Sequence, residues 1–95
     1  MGVRLGVLDR SNEAVAVYRV VVHRYGDDPI PVVRELVAQA QTNMGVRLEV
    51  LGRSGDAVAA YQQVIDRYGD DFSPGVREAV FRASEALSNT GYGMH

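Results

Sequence analysis

Apolar residues recur along this chain every three or four positions, and alternation of apolar and polar residues one by one is confined to short segments such as 46–50. The first spacing is that of one face of an α-helix, whereas strict alternation would be typical of a half-buried β-strand. Three stretches that contain glycine or proline, together with the polar stretch 9–13, divide the apolar stripes into five segments. The pattern therefore predicts an all-α protein of about five helices, without a sheet.

The first two predicted helices lie close together. The first is short and covers residues 1–8. Ser11 or Asn12 is expected to cap the second, because the side-chain oxygens of these residues accept hydrogen bonds from the free N–H groups of a first helical turn. Gly26 is expected to end the second helix in the left-handed conformation that favours glycine.

The remaining segments predict three more helices. The longest spans about 31–51 and contains Gly45, where a glycine costs about 1 kcal/mol relative to alanine, so we expect a neighbouring helix to approach closely there. A turn at 52–55 separates it from a fourth helix at about 56–68. The fifth begins at Pro74, since proline is acceptable at the first helical position. Tight turns between antiparallel helices follow from this layout.

One sequence unit occurs twice, at an offset of 43 residues. Most of residues 1–18 recurs at 44–61, and Tyr-Gly-Asp-Asp occurs at both 25–28 and 68–71. We therefore predict a single domain, 1–95, made of three pieces: a first repeat that starts in mid-helix (1–43), a second repeat (44–86) and the start of a truncated third (87–95).

The spacing of small and apolar residues in this unit resembles the signature of the tetratricopeptide repeat (TPR). Spacings of three, four, five and four residues separate Gly45, Leu48, Gly52, Ala57 and Tyr61. The same pattern occurs earlier as Gly2, Leu5, Ala14 and Tyr18, with Asp9 in place of the turn glycine. Because the standard repeat has about 34 residues, the chain is similar to a long-repeat variant. The resemblance implies a TPR-like α-solenoid fragment of antiparallel helix-turn-helix repeats.

The resemblance also implies a concave groove that holds a peptide segment of another protein. The groove positions that it implies are Gln39, Thr42, Asn43, Val46, Glu49, Val50, Glu85, Ser88 and Asn89. In the family an asparagine matching Asn43 and Asn89 often hydrogen-bonds a peptide backbone, although both could equally be exposed helix residues. Basic residues that would clamp a terminal carboxylate are not matched.

Composition narrows the classes of partner. The net charge is −2, and all ten basic residues are arginines spread among acidic residues, so no basic patch favours nucleic acid. No apolar run approaches the roughly 20 residues of a membrane span, and the N-terminal residues do not form a signal peptide. The chain has no cysteine, which is compatible with a reducing cytoplasm. We expect a soluble, cytoplasmic protein that binds neither nucleic acid nor membrane.

No constellation for catalysis or metal binding is recognisable. His23 and His95 have no second ligand at metal-binding spacing. The adjacent aspartates at 27–28 and 70–71 could attract a hard cation, but no calcium-loop spacing surrounds them, and turn formation explains them better. No Ser-His-Asp set or phosphate loop occurs. The sequence predicts no cofactor, no metal and no enzymatic activity.

Two roles follow for an interaction module of this kind. Met1 aligns with Met44, in the middle of the longest predicted helix, so both ends are expected to expose apolar residues for self-association. These residues are Val3, Leu5 and Leu8 at one end, and Val80, Phe81, Ala83, Leu87 and Tyr92 at the other. We predict a homo-oligomer, with a two-fold dimer preferred over a ring or fibre. The alternative is a peptide-binding adaptor segment of a longer repeat array.

Overall fold

A computed structural model describes residues 2–89, with side chains from Arg10 onwards, and in this range it contains four α-helices and no strand. The helices are α1 (Gly2–Tyr25), α2 (Pro31–Val50), α3 (Ser54–Tyr68) and α4 (Pro74–Asn89). The all-helical prediction is confirmed, whereas the prediction of five helices is wrong.

The difference lies in α1, which joins the first two predicted helices into one. The turn between α2 and α3 passes through Gly52, whose φ of 76° lies in the left-handed region. Asp9 occupies the equivalent position 43 residues earlier, and aspartate enters that region more readily than most L-residues but less readily than glycine. The helix therefore continues through Asp9. Ser11 does not cap a helix; it is buried within α1, and its hydroxyl has no hydrogen-bond partner in the described part of the chain.

The two Tyr-Gly-Asp-Asp segments form the same turn. The second aspartate of each donates its N–H to the carbonyl of the tyrosine, at 3.1 Å for Asp28 and 3.0 Å for Asp71. Each also accepts, on Oδ1, the N–H two residues further along, at 2.9 Å. Gly26 is not left-handed, because Gly52 alone has a positive φ among the described residues. The predicted role of these aspartates in a turn is confirmed.

Helix α2 is the centre of the molecule. It packs against α1, α3 and α4, whereas α1 contacts no other helix within residues 2–89. Most of the buried core comes from α2, α3 and α4. Among the described side chains of α1, Val15 is buried in the core, and Tyr18, Val21 and Val22 pack against it while partly exposed. The core residues are Val15, Val37, Ala38, Met44, Leu48, Ala57, Ala60, Tyr61, Val64, Tyr68, Val76, Ala79 and Ala83. Helix α1 is therefore peripheral.

Candidate functional site

Helices α2 and α3 approach each other closely at Gly45. A Cβ atom at this position would lie only 2.8 Å from the Cδ1 and Cζ atoms of the Tyr61 ring. The predicted close approach at Gly45 is thus made by a side chain. Tyr61 is fully buried, and its hydroxyl donates a hydrogen bond to Glu49. Burial, and then the carboxylate of Glu49, raise the pKa of the Tyr61 hydroxyl well above its ordinary value.

Polar contacts attach α2 to α4 in the same region. The Thr42 hydroxyl lies 2.9 Å from the carbonyl oxygen of Ala38 in its own helix and 3.4 Å from that of Ala79 in α4. Arg82 donates a hydrogen bond of 2.9 Å to Oδ1 of Asn43. These bonds keep polar groups paired where the two helices meet.

At its front end α2 is attached through Arg34. Its Nε donates to Oδ2 of Asp71 at 2.9 Å, and its guanidinium carbon lies 5.0 Å from the centre of the Tyr68 ring. The Ser73 backbone N–H, and then Arg34, lower the pKa of Asp71 below its usual value. The turn after α3 therefore provides a receptor for one arginine, built from a carboxylate and an aromatic face.

A depression lies between α1 and α2, and we call it the α1–α2 groove. It is almost wholly apolar, with a volume of about 510 Å³. Its lining residues are Val17, Tyr18, Val21, Tyr25, Val33, Leu36, Val37, Gln39, Ala40 and Asn43. Several of these side chains face solvent, since Val17 is 60% exposed, Leu36 59% and Tyr25 44%. In the described part of the chain no helix covers the groove.

The same positions 43 residues later are buried. Ala60 replaces Val17 and is 4% exposed, Ala79 replaces Leu36 and is 0% exposed, and Tyr68 replaces Tyr25 and is 1% exposed. These residues belong to α3 and α4, both of which pack against α2. The α1–α2 groove is therefore the equivalent of a surface that, in the second repeat, has a helix on it.

The nine residues implied to bind a peptide do not form one exposed surface. Val46, Glu49 and Val50 are exposed along one side of α2, and Glu85, Ser88 and Asn89 are exposed on α4. Gln39 is half-buried in the α1–α2 groove, and Thr42 is buried between helices. Asn43 is also half-buried, and its side-chain Oδ1 accepts a hydrogen bond from Arg82. A peptide-binding role for this set stays a prediction.

The structure describes only some of the residues predicted for self-association. The side chains of Val3, Leu5 and Leu8, and the whole of Tyr92, lie outside the described residues. In α4, Ala83 is buried in the core, while Val80 and Leu87 are half-buried against it. Phe81, by contrast, is 62% exposed.

Sequence reasoning missed the exposed residues of the α1–α2 groove. Leu36 and Tyr25 lie on the apolar stripes of their helices, and periodicity shows which face of a helix is apolar but not whether another helix covers it. The usable signal was the repeat itself. Leu36 and Tyr25 lie 43 positions before Ala79 and Tyr68. To be buried in the same way, they would need a preceding helix to cover them.

Other kinds of site are not supported by the described residues. Between residues 10 and 89 no three His, Asp or Glu side chains come together as metal ligands would. None of the four described helices combines the length and the apolar character that a membrane crossing requires.

Comparison of the chain with protein-family models, with curated proteins and with solved structures finds no match. The likeness to the tetratricopeptide repeat therefore stays a prediction, carried by the spacing of residues such as Gly45, Gly52 and Tyr61. The duplication itself is visible in the structure, in the two identical Tyr-Gly-Asp-Asp turns.

Proposed function

We propose that this chain is a non-catalytic protein-interaction scaffold of the TPR-like class, and that it associates with itself into at least a dimer. One observation carries the proposal. The α1–α2 groove exposes apolar residues whose equivalents, 43 positions later, are buried between helices. Fully burying a side chain of the size of Val17 or Leu36 is worth about 1.5–3 kcal/mol. Covering the groove could therefore contribute several kcal/mol to an association.

The shape of the groove suggests what kind of segment covers it. It lies between two packed helices, and a groove of this kind is typically filled by the apolar face of a third helix. The second repeat supplies an internal precedent, since α2 packs on both α3 and α4. A second copy of this chain is a source of such a helix. The proposed compartment is the cytoplasm, with which a chain without cysteine is compatible.

Co-purification of two differently tagged copies tests this proposal. We expect one tagged chain to retain the other, and we expect Leu36→Glu to abolish this retention because it places a charge in the apolar groove. Val20→Glu is the matched control, because Val20 is 58% exposed but does not line the groove. Folded copies that fail to retain each other would contradict the proposal.

The alternative function is a peptide-binding adaptor. It is favoured by Val46 and Val50, which are 38% and 42% exposed and lie one turn apart on α2, beside the exposed Glu49. An apolar stripe with a flanking carboxylate suits an extended or helical peptide. If the tagged chain reproducibly retained one foreign protein but not itself, and if Val46→Asp removed that protein, the adaptor would be the better description.

A further inference from the structure

We infer that the helix that fills the α1–α2 groove is α4 of a second copy, held there by an ion pair between Arg77 of one copy and Asp28 of the next. This inference rests on the proposed self-association and adds which surfaces meet.

The sequence of α4 repeats the front half of α2. Pro-x-Val-Arg-Glu-x-Val occurs at 31–37 and again at 74–80, and each helix begins at its proline. In α2 this segment carries Arg34, which attaches the helix to the turn after α3. In α4 the equivalent residue is Arg77. Helix α4 therefore carries an arginine at the position from which α2 binds the turn after α3.

The first repeat contains the matching receptor without an arginine. Asp28 is oriented by the same turn as Asp71, because its Oδ1 accepts the N–H of Ile30 at 2.9 Å. Oδ2 of Asp71 binds Arg34, whereas Asp28 takes part in no ion pair among the described residues. Tyr25, the equivalent of Tyr68, is 44% exposed. A carboxylate and an aromatic face are thus positioned for a guanidinium beside the α1–α2 groove.

Arg77 is available to occupy this receptor. It is exposed on α4 and forms no ion pair in the described part of the chain; its guanidinium carbon lies 5.9 Å from the centre of the exposed Phe72 ring. Because Arg77 is related to Arg34 by the offset that relates Asp71 to Asp28, the charges of the two surfaces are complementary. This complementarity identifies α4 as the occupant.

The apolar residues of α4 agree with this assignment. Phe81 follows Arg77 by one helical turn, on a different face from Ala79 and Ala83, which pack inside the molecule. The equivalent of Phe81 in α2 is Ala38, which is 0% exposed. An exposed aromatic residue thus stands at a position that α2 buries. It can enter the apolar groove as the anchor of the contact.

The later turns of α4 do not repeat α2. Ser88 occupies the position in α4 that is equivalent to Gly45 in α2. Because serine has a side chain, α4 lacks the space that Gly45 leaves for the Tyr61 ring. The contact is therefore assigned to the first two turns of α4 and to Phe81.

The two surfaces differ, so the contact is heterologous. One copy contributes α4 and the next contributes its groove, which leaves a free groove at one end of a pair and a free α4 at the other. Such contacts close into rings or extend into fibres, in contrast to the two-fold dimer expected from the sequence.

Charge-swap variants test the inference. Arg77→Glu and Asp28→Arg should each raise the dissociation constant of self-association roughly tenfold or more, because like charges then face each other. An equimolar mixture of the two variants should regain association, since every contact between unlike copies is again complementary. Arg47→Glu is the matched control: Arg47 is exposed on α2 and takes part in no ion pair of the described residues.

Sedimentation velocity reads the result, with circular dichroism to verify folding. Asp28→Asn is a milder second variant, because an asparagine oxygen can still accept the Ile30 N–H, and it should also weaken association. If the wild type associates and neither charge variant weakens it, or if the mixture stays dissociated, the pairing of α4 with the groove is overturned while self-association stands. A monomeric wild type would overturn the proposed self-association itself.

Discussion

Tyr61 and Tyr18 occupy the same position of the two repeats, but their surroundings differ. Tyr61 is fully buried against Gly45, and its hydroxyl is bonded to Glu49. Tyr18 is half-buried and lines the α1–α2 groove. The cost of removing a side chain depends on the area that it buries and on the cavity that it leaves. A comparison of these two tyrosines therefore contrasts a covered helix surface with an uncovered one.

Replacing each tyrosine by alanine should give unequal losses of stability. Tyr61→Ala should cost about 3–5 kcal/mol, the usual loss for a buried aromatic residue. Tyr18→Ala should cost about 1–2 kcal/mol, because part of its side chain is already in water. Urea unfolding at submicromolar chain concentration, where association contributes least, measures both. Equal losses would mean that the groove is covered within one chain.

The hydroxyl of Tyr61 should make stability depend on alkaline pH. Its raised pKa means that the folded chain keeps a proton that an unfolded tyrosine releases near pH 10. The stabilisation is therefore complete below about pH 10 and is lost as the pH rises further. We expect the free energy of unfolding, measured in urea between about pH 9 and 11, to fall more steeply in the wild type than in Tyr61→Phe. Parallel curves would exclude this role.

At the scale of the element, α1 and the α2–α3 pair show two outcomes of nearly the same sequence. Gly52 allows the chain to turn at a φ of 76°, whereas Asp9 keeps it helical at the equivalent position. The helical hairpin thus has a glycine, and the long helix an aspartate that enters the left-handed region less readily, at the same position of the repeat. Where the chain forms one long helix, no helix of the described residues covers the α1–α2 groove.

This account predicts that Gly52 is needed for its backbone conformation. Gly52→Ala should cost about 1–2 kcal/mol, since alanine must enter the left-handed region. Gly55→Ala is a close control, because a Cβ there meets no atom within 4 Å and its φ is not positive. In a helix that control should be neutral or stabilising by up to about 1 kcal/mol. Thermal unfolding of both variants gives the comparison, and equal effects would contradict the role of Gly52.

The helices from α2 onward could be predicted from the sequence, because their apolar stripes, Pro31, Pro74 and Gly52 agree with one another. The continuity of α1 could not. Ser11 and Asn12 are residues that favour a helix N-terminus, so they predict a new helix there. The presence of Asp9, where the second repeat has a turn glycine, is the weaker signal against it. The open groove was also beyond periodicity alone, since covered and uncovered apolar faces have the same spacing.

At the scale of the whole molecule, the described helices form an asymmetric arrangement. Helix α2 is packed on three sides, whereas α1 contacts α2 alone. Apolar side chains of α1 nevertheless face solvent along the α1–α2 groove, among them Val17 and Tyr25, which are 60% and 44% exposed. This uncovered apolar surface is the reason for the proposal that a second copy of the chain covers the α1–α2 groove.

Sedimentation equilibrium of the wild-type chain at micromolar concentration tests the central claim, self-association through the uncovered first repeat, most directly. We predict a mass of at least twice the 10.4 kDa of one chain, and a return toward 10.4 kDa in Leu36→Glu but not in Val20→Glu. A wild-type chain that is folded by circular dichroism and sediments as a monomer up to about 100 micromolar, above the dissociation constants of specific protein complexes, would contradict the account.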